Sequence, residues 1–290
     1  MANLKEIRNR ISSVNSTMQI TSAMKMVSAA KLKRAQDAIT QMRPYAEKLQ
    51  EILSNVASNV ESTEGVYSEE RGSNNMLIVA INSNRGLCGG FNSSIIKEIT
   101  KIKSRYSDAN IKVLPIGKKA HEHYTKTKEI HLDGFGERPY DVYGELTFDN
   151  VAKIADEVMN QFKDGTWDKV IVVYNKFKNA AVQIVMTEQF LPVLPPEGAA
   201  ANQSTDYIYE PSEEEIITEL IPRSLKVQLY KGILDSNAGE HGARMTAMHK
   251  ATDNAKDIKD ELKLFYNKAR QAAITNEILE IVGGAEALNG

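Results

Sequence analysis

Two stretches of apolar residues that recur at alternating steps of three and four stand at opposite ends of this chain, and they limit what it can fold into. Leu4, Ile7, Ile11, Val14 and Met18 follow the spacing at the start. Met248, Ala251, Ala255, Ile258, Leu262, Phe265, Ala269 and Ala272 follow it near the end. Such spacing draws one apolar seam along a helix. A chain that begins and ends in helical seams folds most simply with its ends paired as a long antiparallel coiled coil. The differently patterned middle then forms a domain of its own.

The first seam continues through Leu32, Ala35, Ile39, Met42, Ala46, Leu49, Leu53, Val56 and Val60. Residues 1–60 therefore read as one coiled-coil helix, on the order of 85 Å long. Between Met18 and Leu32 the seam positions become polar or shift phase to Ile20, Met24 and Val27, and Pro44 removes a backbone donor, so a disturbed seam and a bend are expected. Residues 61–75, rich in Glu, Ser, Gly and Asn, read as a linker.

The period changes in residues 76–210. An apolar, β-branched run at 76–81 ends in a polar and glycine-rich loop, and a helical pattern through Ile95, Ile96, Ile99 and Ile102 follows. Further strands are expected at 111–116, 129–132, 169–174 and 182–190, a brief one at 207–209, and helices at 118–126 and 151–162. This alternation gives the fold class: a central Rossmann-like α/β domain carried on the coiled coil. Residues 212–290 form the second coiled-coil helix, opened by a Ser212–Glu215 capping box. Gly239 and Gly242 are its expected weak points, and Gly283 and Gly284 should loosen its last turns.

Charge and composition narrow the function. The 36 basic residues nearly balance the 38 acidic ones, which speaks against a nucleic-acid binder. The balance is local, however: Lys5, Arg8, Arg10, Lys25, Lys31, Lys33 and Arg34 face only Glu6 in the first 34 residues. A helix so one-sided in sign repels itself, and an acidic partner would relieve that repulsion. Cys88 is the single cysteine, so no internal disulfide forms, in keeping with a reducing compartment. No apolar run reaches the roughly 20 residues of a membrane span, and no secretory signal is expected.

The strongest candidate for chemistry is the loop containing Arg85, Gly86, Cys88, Gly89 and Gly90, between a strand and a helix, where phosphate-binding loops sit. Its glycine spacing matches neither GxGxxG nor GxxxxGK[ST], so it reads as a tight structural turn around a packing cysteine. His121, Glu122 and His123 point to different helix faces and do not make a metal site. Ser22-x-x-Lys25 and Ser28-x-x-Lys31 formally match a nucleophile motif but read as solvated or partner-facing positions. No catalytic residue, cofactor or metal is assigned.

The stretch from Ile7 to Thr17 (IRNRISSVNST), with Gln19-Ile20-Thr21, Ala23 to Val27 and Ala30-Lys31, resembles the γ subunit family of F-type ATP synthases. So do Arg85 to Asn92 (RGLCGGFN), Ala243-Arg244-Met245, Ala247-Met248 and Ala251 to Ala255. Tyr266 to Ala272 (YNKARQA), Ile274 to Glu277, Glu280, Gly284 and Ala285 complete the likeness, which runs from end to end. Asn84 stands where the family has Asp, and Gly239 and Gly242 stand where it has Ser and Ala. The loop after Phe190 lacks the cysteine pair of the chloroplast relatives, so a bacterial chain without thiol control is expected.

The resemblance implies a non-catalytic central-stalk rotor. Its partners would be the α and β subunits of the catalytic hexamer, the ε subunit and the c-subunit ring, with no nucleic acid and no direct membrane insertion. Its place would be the cytoplasmic face of the bacterial plasma membrane, as a peripheral part of the synthase. Met24, Lys25, Lys31, Lys33 and Arg34 would face an acidic segment of β. Arg270, Gln271, Thr275, Glu277 and Glu280 would make polar contacts with β loops. Ile278, Ile281, Val282, Ala285 and Leu288 would turn in an apolar sleeve. The competing class is a nucleotide-dependent α/β enzyme with a coiled-coil dimerisation stalk.

Overall fold

The computed structural model describes residues 4–59, 66–136, 138–193 and 213–289. The expected strand at 207–209 and the Ser212 cap lie outside them. Contacts divide the chain into two compact units, Ala29–Arg244 and the paired ends Met1–Ser28 with Met245–Gly290.

In the larger unit, β1 (Asn75–Ile81), β2 (Asn110–Ile116), β3 (Lys169–Phe177) and β4 (Gln183–Leu191) form one sheet in the order β2-β1-β3-β4. β1 is parallel to β2 and β3, and β4 runs antiparallel to β3. The middle strands carry continuous apolar runs, residues 76–81 of β1 and 170–174 of β3, because both faces are covered. Met76, Ile78 and Ala80 pack beneath Ile95, Ile99 and Ile102 of α2 (Phe91–Arg105) and Ala120 and Tyr124 of α3 (Lys118–Thr127). Leu77, Val79 and Ile81 face the opposite layer, where α4 (Phe148–Lys163) brings Val151, Ala155, Val158 and Phe162. Each of the Val, Leu, Ile, Met and Phe side chains among these contributes about 1.5–3 kcal/mol on burial. The expected strand at 129–132 is reduced to a single bridge, Ile130 to Val113, because the chain turns away after two backbone hydrogen bonds.

That second layer is completed by α5 (Glu213–Asn289), through Leu225, Leu229 and Ile233. Lys226 pairs with Asp156 of α4 at 2.8 Å, and Tyr230 meets Phe148 edge to face. Val227, Leu234 and Ala238 are buried on other faces of α5. So are Leu32, Ala35 and Ile39 of α1 (Leu4–Asn59), and Arg223 of α5 donates to the Tyr45 hydroxyl of α1 at 2.7 Å.

Pro44 lies inside α1 and does not end it. The helices correct two expectations. The first is that α5 is unbroken through Gly283 and Gly284. Gly239 and Gly242 are not weak points but contact points. A Cβ on Gly242 would stand 3.1 Å from the Ala180 Cα, and one on Gly239 would stand 3.3 Å from the Phe91 ring. Their missing side chains let α5 approach the β3–β4 hairpin.

In the smaller unit the first and last helical segments pair antiparallel. Thr252 Oγ1 donates to Thr21 Oγ1 at 2.8 Å, Lys259 Nζ to Asn15 Oδ1 at 3.4 Å, and an Arg8 amino group to the Tyr266 hydroxyl at 3.2 Å. After Met18 the seam turns polar and does not shift phase, the first of the two expected alternatives. It continues through Thr21, Lys25 and Ser28, with Thr21 and Ser28 buried, while Ile20 and Val27 are 60% and 58% exposed. Ser28 is therefore not a solvated position. On α5 the inward row alternates Met248, Thr252, Ala255, Lys259, Leu262, Tyr266 and Ala269. Half of the expected seam is right. Ile258 and Phe265, at 45% and 51% exposure, lie outside it and are replaced by residues one position further on.

Substitution of Gly242 by Ala should lower the thermal midpoint of the purified chain. Overpacking costs about 1–3 kcal/mol and outweighs a helix-propensity gain of about 1 kcal/mol. Gly283→Ala, where a Cβ meets nothing within 4 Å, should leave the midpoint unchanged or raise it, as thermal unfolding of the two variants would show.

Candidate partner-contact surfaces and the turn at residues 82–92

The turn closes the C-terminal edge of the parallel strands, where α/β sheets place their ligands. Asn82 N–H still donates to Ile116 O at 2.7 Å, and the chain then leaves the sheet. Gly117 makes this possible from the other side: its φ is +106°, and any Cβ there would lie 2.1 Å from Asn82 O. Inside the loop, Ser83 N–H donates to Asn92 Oδ1 at 3.0 Å and the Ser83 hydroxyl donates to Arg85 O at 2.7 Å. Asn92 Nδ2 donates to Ser83 Oγ at 2.8 Å and to Cys88 Sγ at 3.2 Å.

Side chains thus fill the space that a phosphate would need, and two carbonyls, not N–H groups, point to a charged partner. That partner is Arg244. Its Nη2 donates to Arg85 O at 2.8 Å, its Nε to Gly86 O at 3.2 Å, and its Nη1 pairs with Glu240 Oε1 at 2.8 Å. Both side chains of the pair are only 8% exposed. A buried ion pair is tolerable when its spare donors are also satisfied, and here two of them hold the turn. Burial pushes the Glu240 carboxyl up, against the pull of Arg244. Burial likewise pushes the Cys88 thiol up, which keeps it protonated and inert.

Asn84, the departure noted in the sequence, bridges neighbouring segments. Its Nδ2 donates to Asp141 Oδ1 at 2.7 Å and its Oδ1 accepts from Lys118 N–H at 3.0 Å. A carboxylate in its place would face Asp141 directly. Among the glycines of the turn only Gly89 has a positive φ, whereas Leu87, at φ +61°, shares that conformation with a side chain 64% exposed.

The other proposed contact residues are distributed as follows. Lys31, Lys33 and Arg34 are exposed, and Lys33 pairs with Asp37 one turn on at 2.8 Å. Met24 and Lys25 are half-buried, and Lys25 Nζ sits 3.3 Å from His249 Nδ1. Arg270, Gln271, Thr275, Glu277 and Glu280 are exposed, as are Ile278, Ile281, Val282 and Ala285. The Leu288 side chain lies outside the described residues. His121 stacks on Tyr140 at 4.0 Å while Glu122 pairs with Lys119 at 2.7 Å, so the two are held on different partners.

Sequence reasoning quoted Arg244 as part of a motif but gave it no role. The available signal was a Glu and an Arg four residues apart, Glu240 and Arg244, on one face of the helix.

A family model described as ATP synthase matches residues 3–288. Over 291 residues and the full length of both chains, the protein is 62% identical to the ATP synthase gamma chain of Flavobacterium johnsoniae. The chain belongs to the ATP synthase gamma chain family. The gamma chain of Cytophaga hutchinsonii is 54% identical over 299 residues, again with full coverage of both. Among solved structures, a chain of the central stalk and c-ring of the Tetrahymena thermophila mitochondrial ATP synthase is 26% identical, with a TM-score of 0.57. The match covers 80% of this chain and 99% of that one. A chain of the Euglena gracilis mitochondrial ATP synthase, with a TM-score of 0.66, 19% identity and coverage of 98% and 94%, shares the fold. The coiled-coil pair with its central mixed sheet is thus the gamma-chain fold.

One titration belongs to this gamma chain's buried pair. His241 is pushed down from 6.5 to about 4 by burial first, then by the cations Arg244 and Lys31. A base with a depressed folded pKa takes up its proton first in the unfolded chain. Its contribution to stability is therefore complete above about pH 6.5 and is lost as pH falls towards about 4. Thermal midpoints measured over that window should fall more steeply for wild type than for His241→Gln, and parallel curves would contradict the assignment.

Proposed function

We propose that this chain is the rotating shaft of a bacterial F-type synthase, coupling rotation of a membrane c-ring driven by proton or sodium flow to conformational change at the catalytic sites of β. Its full-length membership of the gamma-chain family carries this reading. The 26% identical structure from Tetrahymena, described as central stalk and c-ring, supports it. The chain itself performs no nucleotide chemistry. The turn at the sheet edge, filled by Ser83, Cys88 and Asn92, suits a structural role better than a phosphate cradle.

The physical mechanism is differential contact. A shaft that touches three equivalent partners unequally stabilises a different conformation in each, and turning it permutes those conformations. Helices 1–60 and 212–290 would form the shaft, 61–75 the linker and 76–210 the head. The head and lower coil would meet the ε subunit and the c-ring. Met24, Lys25, Lys31, Lys33 and Arg34 would read an acidic segment of β, where opposite charge favours close approach. Arg270, Gln271, Thr275, Glu277 and Glu280 would form directional contacts with β loops. Ile278, Ile281, Val282, Ala285 and Leu288 would turn within an apolar sleeve, because non-directional contacts hardly vary with angle. The protein would lie at the cytoplasmic face of the plasma membrane as a peripheral part of the complex. Among the described residues no helix is long and apolar enough to cross a membrane.

Two measurements test the reading. ATP binding and hydrolysis by the purified chain alone should be negligible, and turnover dependent on Arg85 would overturn the rotor in favour of the enzyme with a dimerisation stalk. In the assembled complex, Arg270→Ala or Glu277→Ala should lower turnover about tenfold, equivalent to about 1.4 kcal/mol, while assembly falls less. An unchanged rate at full assembly would show these contacts to be dispensable.

A further inference from the structure

We propose that Arg244 is a positioning residue: it locks the turn at Arg85–Leu87 against α5, so that the exposed Arg85 and Leu87 side chains act as one rigid contact element towards a partner subunit. The inference rests on the rotor reading above and deepens it.

Leu87 carries two costs, one in its backbone and one in its side chain. Its φ of +61° is a conformation that L side chains with a Cβ avoid, and its large apolar side chain is 64% exposed. Strained backbone persists where surrounding structure over-determines it, and such sites gather where the strain serves a contact. Over-determination is what surrounds this turn. Ser83, Cys88 and Asn92 knit it from inside, and Arg244 fixes the carbonyls of Arg85 and Gly86, the two residues immediately before Leu87. Arg244 is itself held at 2.8 Å by Glu240, one helical turn earlier on α5. Only a planar fork can serve one carboxylate and two carbonyls together, so Lys could not replace it.

The arrangement leaves one cation and one apolar knob projecting from an immobilised loop. This pairing fits a partner that presents a carboxylate beside an apolar patch. A merely structural Arg244 would also be buried and paired. It would not, however, need to grip the backbone on the approach to the strained, solvent-facing residue.

A double-mutant cycle in the assembled synthase separates the two cases. Arg244→Gln is combined with Glu240→Gln so that no unpaired charge is left buried, and is compared with Leu87→Ala, Arg85→Ala and the combined variants. Turnover per assembled complex, and coupled synthesis against hydrolysis, are the readouts. If Arg244 acts through the turn, the paired substitution lowers turnover as Leu87→Ala does, and adds less than about twofold on the Leu87→Ala background. Arg244→Lys, which keeps the charge but loses the fork, should fall between. Full multiplication of the two effects, or unchanged turnover at full assembly, would overturn the proposal. Failure of wild-type chain to assemble with α and β subunits would instead sink the rotor reading, which keeps the two failures distinct.

Discussion

The structure depends on one constraint: between residues 225 and 244, α5 must be buried on nearly all sides at once. One face completes the core above the sheet through Leu225, Leu229 and Ile233. Another is pressed on the β3–β4 hairpin, where Gly239 and Gly242 leave room for Phe91, Gln183 and Ala180. A helix enclosed in this way loses the polar face that ordinarily marks a surface helix. Burial there pushes the Asp235 carboxyl up, whereas Glu240 and Arg244 sit as a satisfied pair. The grip of Arg244 on the Arg85 and Gly86 carbonyls follows from the same burial, since its spare donors had no water to meet.

The sheet was legible because its signal is chemical as well as periodic. The β-branched runs in β1, β2 and β3 can sit in few places other than covered strands. The weak strand at 129–132 had no such run and shrank to one bridge. The glycines of α5 were misread for a physical reason. Helix propensity treats a glycine as a loss of backbone restraint, whereas Gly239 and Gly242 are restrained by the neighbours that a Cβ would strike.

The coil was half legible. Apolar periodicity placed Met248, Ala255, Leu262 and Ala269 correctly but chose Ile258 and Phe265 over Lys259 and Tyr266. The latter are amphipathic: they lay their carbon stems in the seam while their polar tips reach Asn15 and Arg8. Likewise Thr21 and Thr252 satisfy one another across the pair, so two hydroxyls sit where a pattern search expects methyl groups. That Arg270, Gln271, Thr275, Glu277 and Glu280 are exposed agrees with the outward position expected of them, since exposure is set by the helix face alone. The role of Arg244 could not be read in this way, because it is a meeting of two segments far apart in sequence.

Polar residues in a seam trade stability for register. An all-apolar seam of this length tolerates slippage by a heptad, whereas the hydrogen bonds of Thr252 with Thr21, Lys259 with Asn15 and Tyr266 with Arg8 are each met in one register only. In the proposed shaft, register would matter more than the last increment of stability, since a slip would displace every outward position along it. From Arg270 to Glu286 the same helix continues with every side chain exposed. A lone helix of this length is marginal in water, and Ile274, Ile278, Leu279, Ile281 and Val282 give it an apolar surface that no described residue covers. Its order and its function in the proposed synthase therefore have a common source: an enclosing partner would shield those side chains while leaving the helix free to turn.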